Sequence, residues 1–145
     1  SPADRGDPRL RQRRATSLIA VDTSAVVAVV LGEDEAESML AQIQQNPSIM
    51  SAATLLEASI VVEARQGPDA TRDLQLLVDA AIEITPFDLD HTRVAFEAWQ
   101  RFGKGRHRAG LNLGDCFAYA TASLAGVPLL FKGSDFTQTD IASVL

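Results

Sequence analysis

The sequence predicts an α/β fold: a central parallel sheet of four to five strands with helices on both faces. Short apolar runs alternate with longer amphipathic segments, and Gly, Pro or Asn-Pro breaks separate them. Successive strands are therefore joined by helix-length crossovers, which only a parallel sheet accommodates. The strands are near-continuously apolar, as strands covered on both faces must be.

The elements follow in order. Leu18 to Val21 is an apolar run ended by Asp22, the pattern of a buried strand. Thr23 to Leu31 reads as a helix broken by Gly32. Asp34 to Gln45 is amphipathic, with Ala36, Met39, Leu40 and Ile43 on one face, and Asn46-Pro47 stops it. Ser48 to Met50 is the second strand. Ser51 to Arg65 is a helix closed by Gly67-Pro68, and Asp69 to Ala80 is the next, with Leu74, Leu77 and Val78 inward. Ile82 to Thr85 is the third strand, stopped by Pro86. Leu89 to Phe102 is a helix closed by Gly103. Lys104 to Leu113 is a basic, polar loop, and Gly114 to Ala125 is a helix with Gly126 at its end. Val127 to Phe131 is the fourth strand, followed by a turn at Lys132-Gly133-Ser134-Asp135. Ile141 to Val144 is the candidate fifth. Met39, Leu40, Leu55, Ile60 and Val61 offer more apolar surface than one small core needs.

The 145 residues suit one domain with a real core, and 46% hydrophobic with 22% charged residues is a soluble balance. No apolar run approaches the roughly 18 residues of a membrane helix. One cysteine, Cys116, excludes an internal disulfide framework and a Cys-rich zinc site. Residues 1–17 hold five arginines and two acids, a net +3, with no apolar periodicity; they read as a disordered basic tail. They contain no apolar core of a secretory signal, and a cytoplasmic location is expected. Residues 18–145 form the domain and carry eight cations against seventeen acids, a net −9. So acidic a body binds nucleic acid only through a local basic patch or a metal.

In doubly covered parallel sheets, ligands bind beyond the carboxyl ends of the strands. Four acids stand there: Asp22 after strand one, Glu57 in the helix after strand two, Asp115 at the opening of the helix before strand four, and Asp135 just past it. Each has an ordinary explanation. Asp22 caps a helix, Thr54-x-x-Glu57 matches a capping box although Ser51 competes for that cap, Asp115 complements a helix dipole, and Asp135 is turn chemistry. Together they point further. Glu57 shares a helix face with Ile60, Val61 and Ala64, Asp22 interrupts an apolar run, and Asp115 stands among Leu113, Cys116, Phe117 and Ala118. Carboxylates on buried faces need a partner, and few cations lie nearby in sequence. An all-oxygen set without His or Cys suits Mg²⁺ or Mn²⁺ and not Zn²⁺.

Four segments then carry a resemblance: Val21-Asp22-Thr23-Ser24-Ala25, Leu55-Leu56-Glu57-Ala58, Leu113-Gly114-Asp115-Cys116-Phe117-Ala118-Tyr119-Ala120, and Leu129-Leu130-Phe131-Lys132-Gly133-Ser134-Asp135-Phe136. From about Leu18 onward the chain resembles the PIN-domain family, most closely the VapC toxins of bacterial toxin–antitoxin pairs. The resemblance implies a PIN-like fold and a Mg²⁺- or Mn²⁺-dependent endoribonuclease that uses a metal-activated water on RNA, such as a tRNA or ribosomal RNA. It implies a metal pocket of Asp22, Glu57, Asp115 and Asp135 with the hydroxyls of Thr23 and Ser24 beside it. Asp22 and Asp115 would be the principal ligands. The family's last motif often reads Gly-Asn-Asp-Phe, whereas here Ser134 replaces the Asn. Asp140 is either an outer acid of the pocket or a surface residue. The resemblance further implies a homodimer and a VapB-type antitoxin lying across the acidic pocket, in a higher toxin–antitoxin assembly.

Arg101, Lys104, Arg106 and Arg108, with His107, form a basic cluster ahead of the Asp115 helix and are the candidate RNA contacts. A metal-free ribonuclease would want a histidine pair, and only His91, expected to be exposed, and His107 exist. Two other readings stay open: a metal-dependent phosphohydrolase or DNA nuclease with the same pocket, and a binding module with an inactive site.

Overall fold

The computed structural model describes residues 17–145; the predicted tail, apart from Ser17, lies outside the described residues. The elements are β1 (Ile19–Val21), α1 (Thr23–Leu31), α2 (Ala36–Gln45), β2 (Ser48–Ser51), α3 (Ala52–Gln66), α4 (Pro68–Ala81), β3 (Glu83–Thr85), α5 (Leu89–Phe102), α6 (Leu113–Ala125) and β4 (Leu129–Leu130). The sheet order is β3-β2-β1-β4, and every pairing is parallel.

Side-chain alternation along the strands divides the core into two layers. Ile19, Val21, Met50 and Leu130 pack with α1 to α4, around Val26, Ile43, Val62 and Leu74. Ala20, Ile49 and Leu129 point the other way and pack with α5 and α6, around Ala98, Phe102, Cys116 and Tyr119. Helices thus cover both faces, and the polar ends of β1, β2 and β4 remain for function.

Local chemistry sets the boundaries. Gly32 adopts a left-handed φ of 67° and donates to the carbonyls of Ala28 and Val29, closing α1. Glu33 N–H then bonds to Ala28 O and Ala36 N–H to Glu33 O, so 33–35 form a turn and α2 starts later than expected. The fourth strand is shorter than the apolar run. Val127 N–H turns back to Ala122 O, and Pro128 has no N–H to give a ladder. The fifth strand reduces to a single parallel bridge between Leu129 and Ser143.

The apolar surplus divides. Met39, on the apolar face of α2, is only 3% exposed and belongs to the core, Leu55 and Val61 pack partly buried against it, and Ile60 is 60% exposed. The buried residues of α3 are Thr54, Ala58 and Val62; on the face of Glu57, Val61 packs half-buried against the core while Ile60 and Ala64 are exposed, so that face is buried only in part. Among the described residues, no helix is long and apolar enough to cross a membrane.

Candidate active site

The site is built from strand ends. Asp22 is the N-cap of α1, and its own backbone N–H donates to Leu130 O at 3.0 Å, joining the ends of β1 and β4. Its Oδ2 accepts from Ser24 N–H (3.0 Å) and from the Ser24 hydroxyl (2.6 Å). That hydroxyl accepts in turn from Lys132 N–H at 2.9 Å. The capping role expected of Asp22 therefore occupies one carboxylate oxygen only. Oδ1 is buried and has no hydrogen-bond partner.

Ser51, not Thr54, caps α3, accepting from Thr54 N–H, so Glu57 is not used in a capping box. Glu57, half-buried, instead accepts from the Thr23 hydroxyl. Its carboxylate lies against the first turn of α6 at Gly114, where a Cβ would overlap it. Asp115 closes a reciprocal cap with Asn112: Asp115 N–H donates to Asn112 Oδ1 (2.8 Å), and Asn112 N–H donates to Asp115 Oδ2 (3.0 Å). Asp135 is exposed on the turn after β4.

The electrostatics link all four acids. Burial pushes the Asp22 carboxyl up to about 7 against the two Ser24 hydrogen bonds, and the charges of Asp115 and Glu57 push it further. Burial likewise pushes Asp115 up to about 6, opposed by the Asn112 N–H and reinforced by Asp135 and Glu57. Among the described residues, no three His, Cys, Asp or Glu side chains are gathered into a metal-binding cluster. The donors nonetheless fit a hard divalent cation. An orphaned buried carboxylate oxygen and two carboxyls raised chiefly by burial, with neighbouring acids adding to it, are what a cation would relieve, and every donor is oxygen.

Asp140 stands apart from this group. It accepts from the Tyr119 hydroxyl at 2.6 Å and from Arg101 at 3.4 Å. Those two bonds tie the C-terminal segment to α5 and α6.

The basic loop is less uniform than its sequence. Arg101 is bound to Asp140 and Tyr119 and lies over the Phe102 ring. Arg106 donates to Gln100 O and covers Trp99. His107 turns inward: its Nδ1 accepts from Ala109 N–H and its ring meets Phe102 edge-on. Lys104 and Arg108 are exposed and make no side-chain hydrogen bond or ion pair among the described residues. His91 is not the exposed residue expected; it is half-buried, paired with Asp88 and tilted against Phe87.

A cavity of about 520 Å³ lies between α5 and α6, lined by Phe96, Trp99, Lys104, Leu113, Cys116 and Phe117 among others. Burial pushes the Cys116 thiol up to about 11, which removes it as a nucleophile near neutral pH. Asn112, Gly114 and Lys132 support the acids and were not singled out from the sequence. Asn112-x-x-Asp115 carried a readable capping signal. Lys132 had none, since its partners are about a hundred residues away.

Residues 19–142 match the PIN domain family, and the chain belongs to it. It is 46% identical over 128 residues to Ribonuclease VapC of Mycolicibacterium smegmatis, covering 87% of this chain and 99% of that protein. It is equally similar to Ribonuclease VapC30 of Mycobacterium tuberculosis, at 46% over 128 residues and 98% of that protein. Within the PIN domains the chain is thus a VapC-type ribonuclease. Among solved structures, Mycobacterium tuberculosis VapC20, described as a sarcin–ricin loop cleaving toxin, superposes with a TM-score of 0.72 at 18% identity, covering 87% of this chain and 98% of that one. VapBC2 of Rickettsia felis, bound to a promoter DNA fragment, gives 0.67 at 14% identity, with 87% and 96% covered. At such identities the likeness speaks for the fold.

Proposed function

We propose that this ribonuclease is the toxin of a VapB–VapC pair, and that it cuts a tRNA or ribosomal RNA at a Mg²⁺ or Mn²⁺ centre held by Asp22, Glu57, Asp115 and Asp135. The observation that carries this reading is the buried, unpartnered Oδ1 of Asp22, set among carboxylates that repel one another. When bound, the cation supplies an acidified water and a counter-charge to the phosphate. The chain's own residues do the positioning. Ser24 holds one oxygen of Asp22 and leaves the other for the ligand role. Asn112 does the same for Asp115, which is the second principal ligand. Thr23 orients Glu57, which acts through water or as the base that aligns it. Asp135, exposed, completes the set from the side open to substrate. With His91 and His107 each engaged elsewhere, no histidine pair serves a 2′-hydroxyl route, and the products carry 5′ phosphate and 3′ hydroxyl ends.

Lys104 and Arg108 are the readiest phosphate contacts of the basic cluster, while Arg101, Arg106 and His107 contribute through the surface they shape. Leu56, Ile60, Phe96, Trp99 and Leu113 are large and exposed; this apolar surface supports a homodimer and a groove for an antitoxin segment, with a basic side chain of the antitoxin meeting the acids. The resemblance supports a cytoplasmic location and a larger toxin–antitoxin assembly.

The test is cleavage of a tRNA and total-RNA panel by antitoxin-free protein, with Mg²⁺ or Mn²⁺, with EDTA, and with Asp22→Asn. Site-specific cuts that need the metal and vanish in the variant are expected. Cutting that survives both EDTA and the substitution would overturn the proposed centre. Cutting of DNA or of simple phosphate esters in preference to RNA would move the substrate to the other class, and no cutting together with no metal binding would make the domain a binding module.

A further inference from the structure

Lys132 joins two parts of the molecule at the rim of the acidic site. Its backbone N–H donates to Ser24 Oγ at 2.9 Å, and Ser24 Oγ–H donates to Asp22 Oδ2 at 2.6 Å. Its ammonium stands 3.4 Å from Glu33 Oε2 and 3.3 Å from Glu35 Oε2, on the turn between α1 and α2. The Glu35 oxygen accepts no aligned hydrogen bond, so that contact is an ion pair held by charge. The glutamates sit on a rigid base, because Gly32 closes α1 and Glu33 N–H bonds to Ala28 O. Three residues past Lys132 is Asp135, on a turn pinned beyond it by Phe136, which is 2% exposed. Among the described residues, no other ion pair links the α1–α2 turn to the end of β4.

We propose that Lys132, clamped by Glu33 and Glu35, is a positioning residue that fixes the Asp135 turn relative to Asp22 and so sets the affinity of the site for a divalent cation. The proposal rests on the metal reading given above. It makes a prediction of sign that charge alone does not. Removing a cation from the rim of an acidic pocket strengthens the pull on a divalent ion. Removing a positioning clamp weakens binding, because the carboxylates no longer wait in place.

The experiment is calorimetric titration of metal-free protein with Mn²⁺, alongside thermal melting, for wild type, Lys132→Met, Lys132→Arg and Glu33→Gln/Glu35→Gln. Lys132→Met keeps most of the apolar stem. The clamp predicts binding about three- to tenfold weaker in Lys132→Met, largely restored in Lys132→Arg, and weakened in the double Gln variant. It also predicts that the combined triple variant is no worse than Lys132→Met alone, because the three groups act as one unit. Unchanged or tighter binding by Lys132→Met, with wild type binding normally, overturns the clamp. Weakening of the triple variant by the full product of the separate effects does so too. Absence of Mn²⁺ binding in wild type overturns the metal reading itself, a distinct result. A melting temperature lowered in proportion to the affinity loss, and not restored by Lys132→Arg, would reduce Lys132 to a fold-stabilising residue.

Discussion

The acidic edge and the basic loop are opposite cases of how sequence becomes a surface. The four acids are spread over more than a hundred residues, on four different elements, yet their charges reach one another because each follows or faces a strand end. The cations Arg101, Lys104, Arg106 and Arg108 are crowded into eight residues, yet they disperse: one binds Asp140, one covers Trp99, and two project into solvent. Parallel topology concentrates what sequence separates, while a loop scatters what sequence concentrates. Asp22 and Asp115 are also desolvated, so each is worth far more to a ligand than an exposed cation of the loop.

The largest expected effect follows from that burial. Asp22→Asn should lower divalent-metal affinity and RNA cleavage by about a hundredfold or more, beyond the loss typical of a supporting residue. The same change should stabilise the metal-free protein. Asp22 titrates near 3.8 unfolded and at about 7 folded. Between those values the folded state holds a proton that the unfolded chain has lost, so wild-type stability without metal falls as pH rises from about 4 to 7. The Asn variant lacks that decline, and at pH 8 it should be more stable by on the order of 2–4 kcal/mol, or about 5–10 °C in melting temperature. Equal melting curves for the two proteins at pH 8 would remove the electrostatic contrast between the regions.

Gly114→Ala should come next. The new methyl group occupies the space of the Glu57 carboxylate and must displace it from Thr23. Cleavage and metal affinity should fall about tenfold, while the helix itself gains up to ~1 kcal/mol in propensity. A variant that melts at the wild-type temperature or above and cleaves poorly has lost the placement of Glu57 and not its fold. Full activity would show that Glu57 is free to move.

The loop should give the smallest changes. Lys104→Ala and Arg108→Ala should each weaken RNA binding a few-fold and reduce the salt slope of log affinity by about 0.7, as expected for one phosphate contact on a single strand. Arg101→Ala should act mainly on stability, because it unties Asp140 and Tyr119. Equal salt slopes for all three variants would mean that the cations act as one patch, contrary to their dispersal over the loop surface.

Much of the fold was legible because strand and helix periods differ, and Gly32, Pro86, Gly103 and Gly126 mark the breaks between elements. The fourth strand was overread because hydrophobicity does not reveal that Val127 N–H is spent on Ala122 O or that Pro128 has none to give. The positions of the acids were legible from strand ends alone. The burial of Glu57 was legible only in part: Val61 beside it packs on the core, but Ile60 and Ala64 are exposed, and apolarity alone does not tell the two apart. His91 was misplaced because its burial against Phe87 depends on tertiary packing. The Ser24–Lys132 bond and the Lys132–Glu33–Glu35 clamp join residues about a hundred positions apart, and no local pattern reports such contacts.

The most direct test of the central claim, that buried and mutually repelling carboxylates form a cation site, is proton-linked metal titration. Mn²⁺ would be titrated into metal-free protein at pH 6 and pH 8, in buffers of different ionisation enthalpy, with Asp22→Asn in parallel. With Asp22 near 7 and Asp115 near 6, binding should release roughly one to one and a half protons per ion at pH 6 and close to none at pH 8. Release should fall sharply in the variant, along with affinity. Binding without proton release at pH 6, or binding that Asp22→Asn leaves intact, would contradict the account.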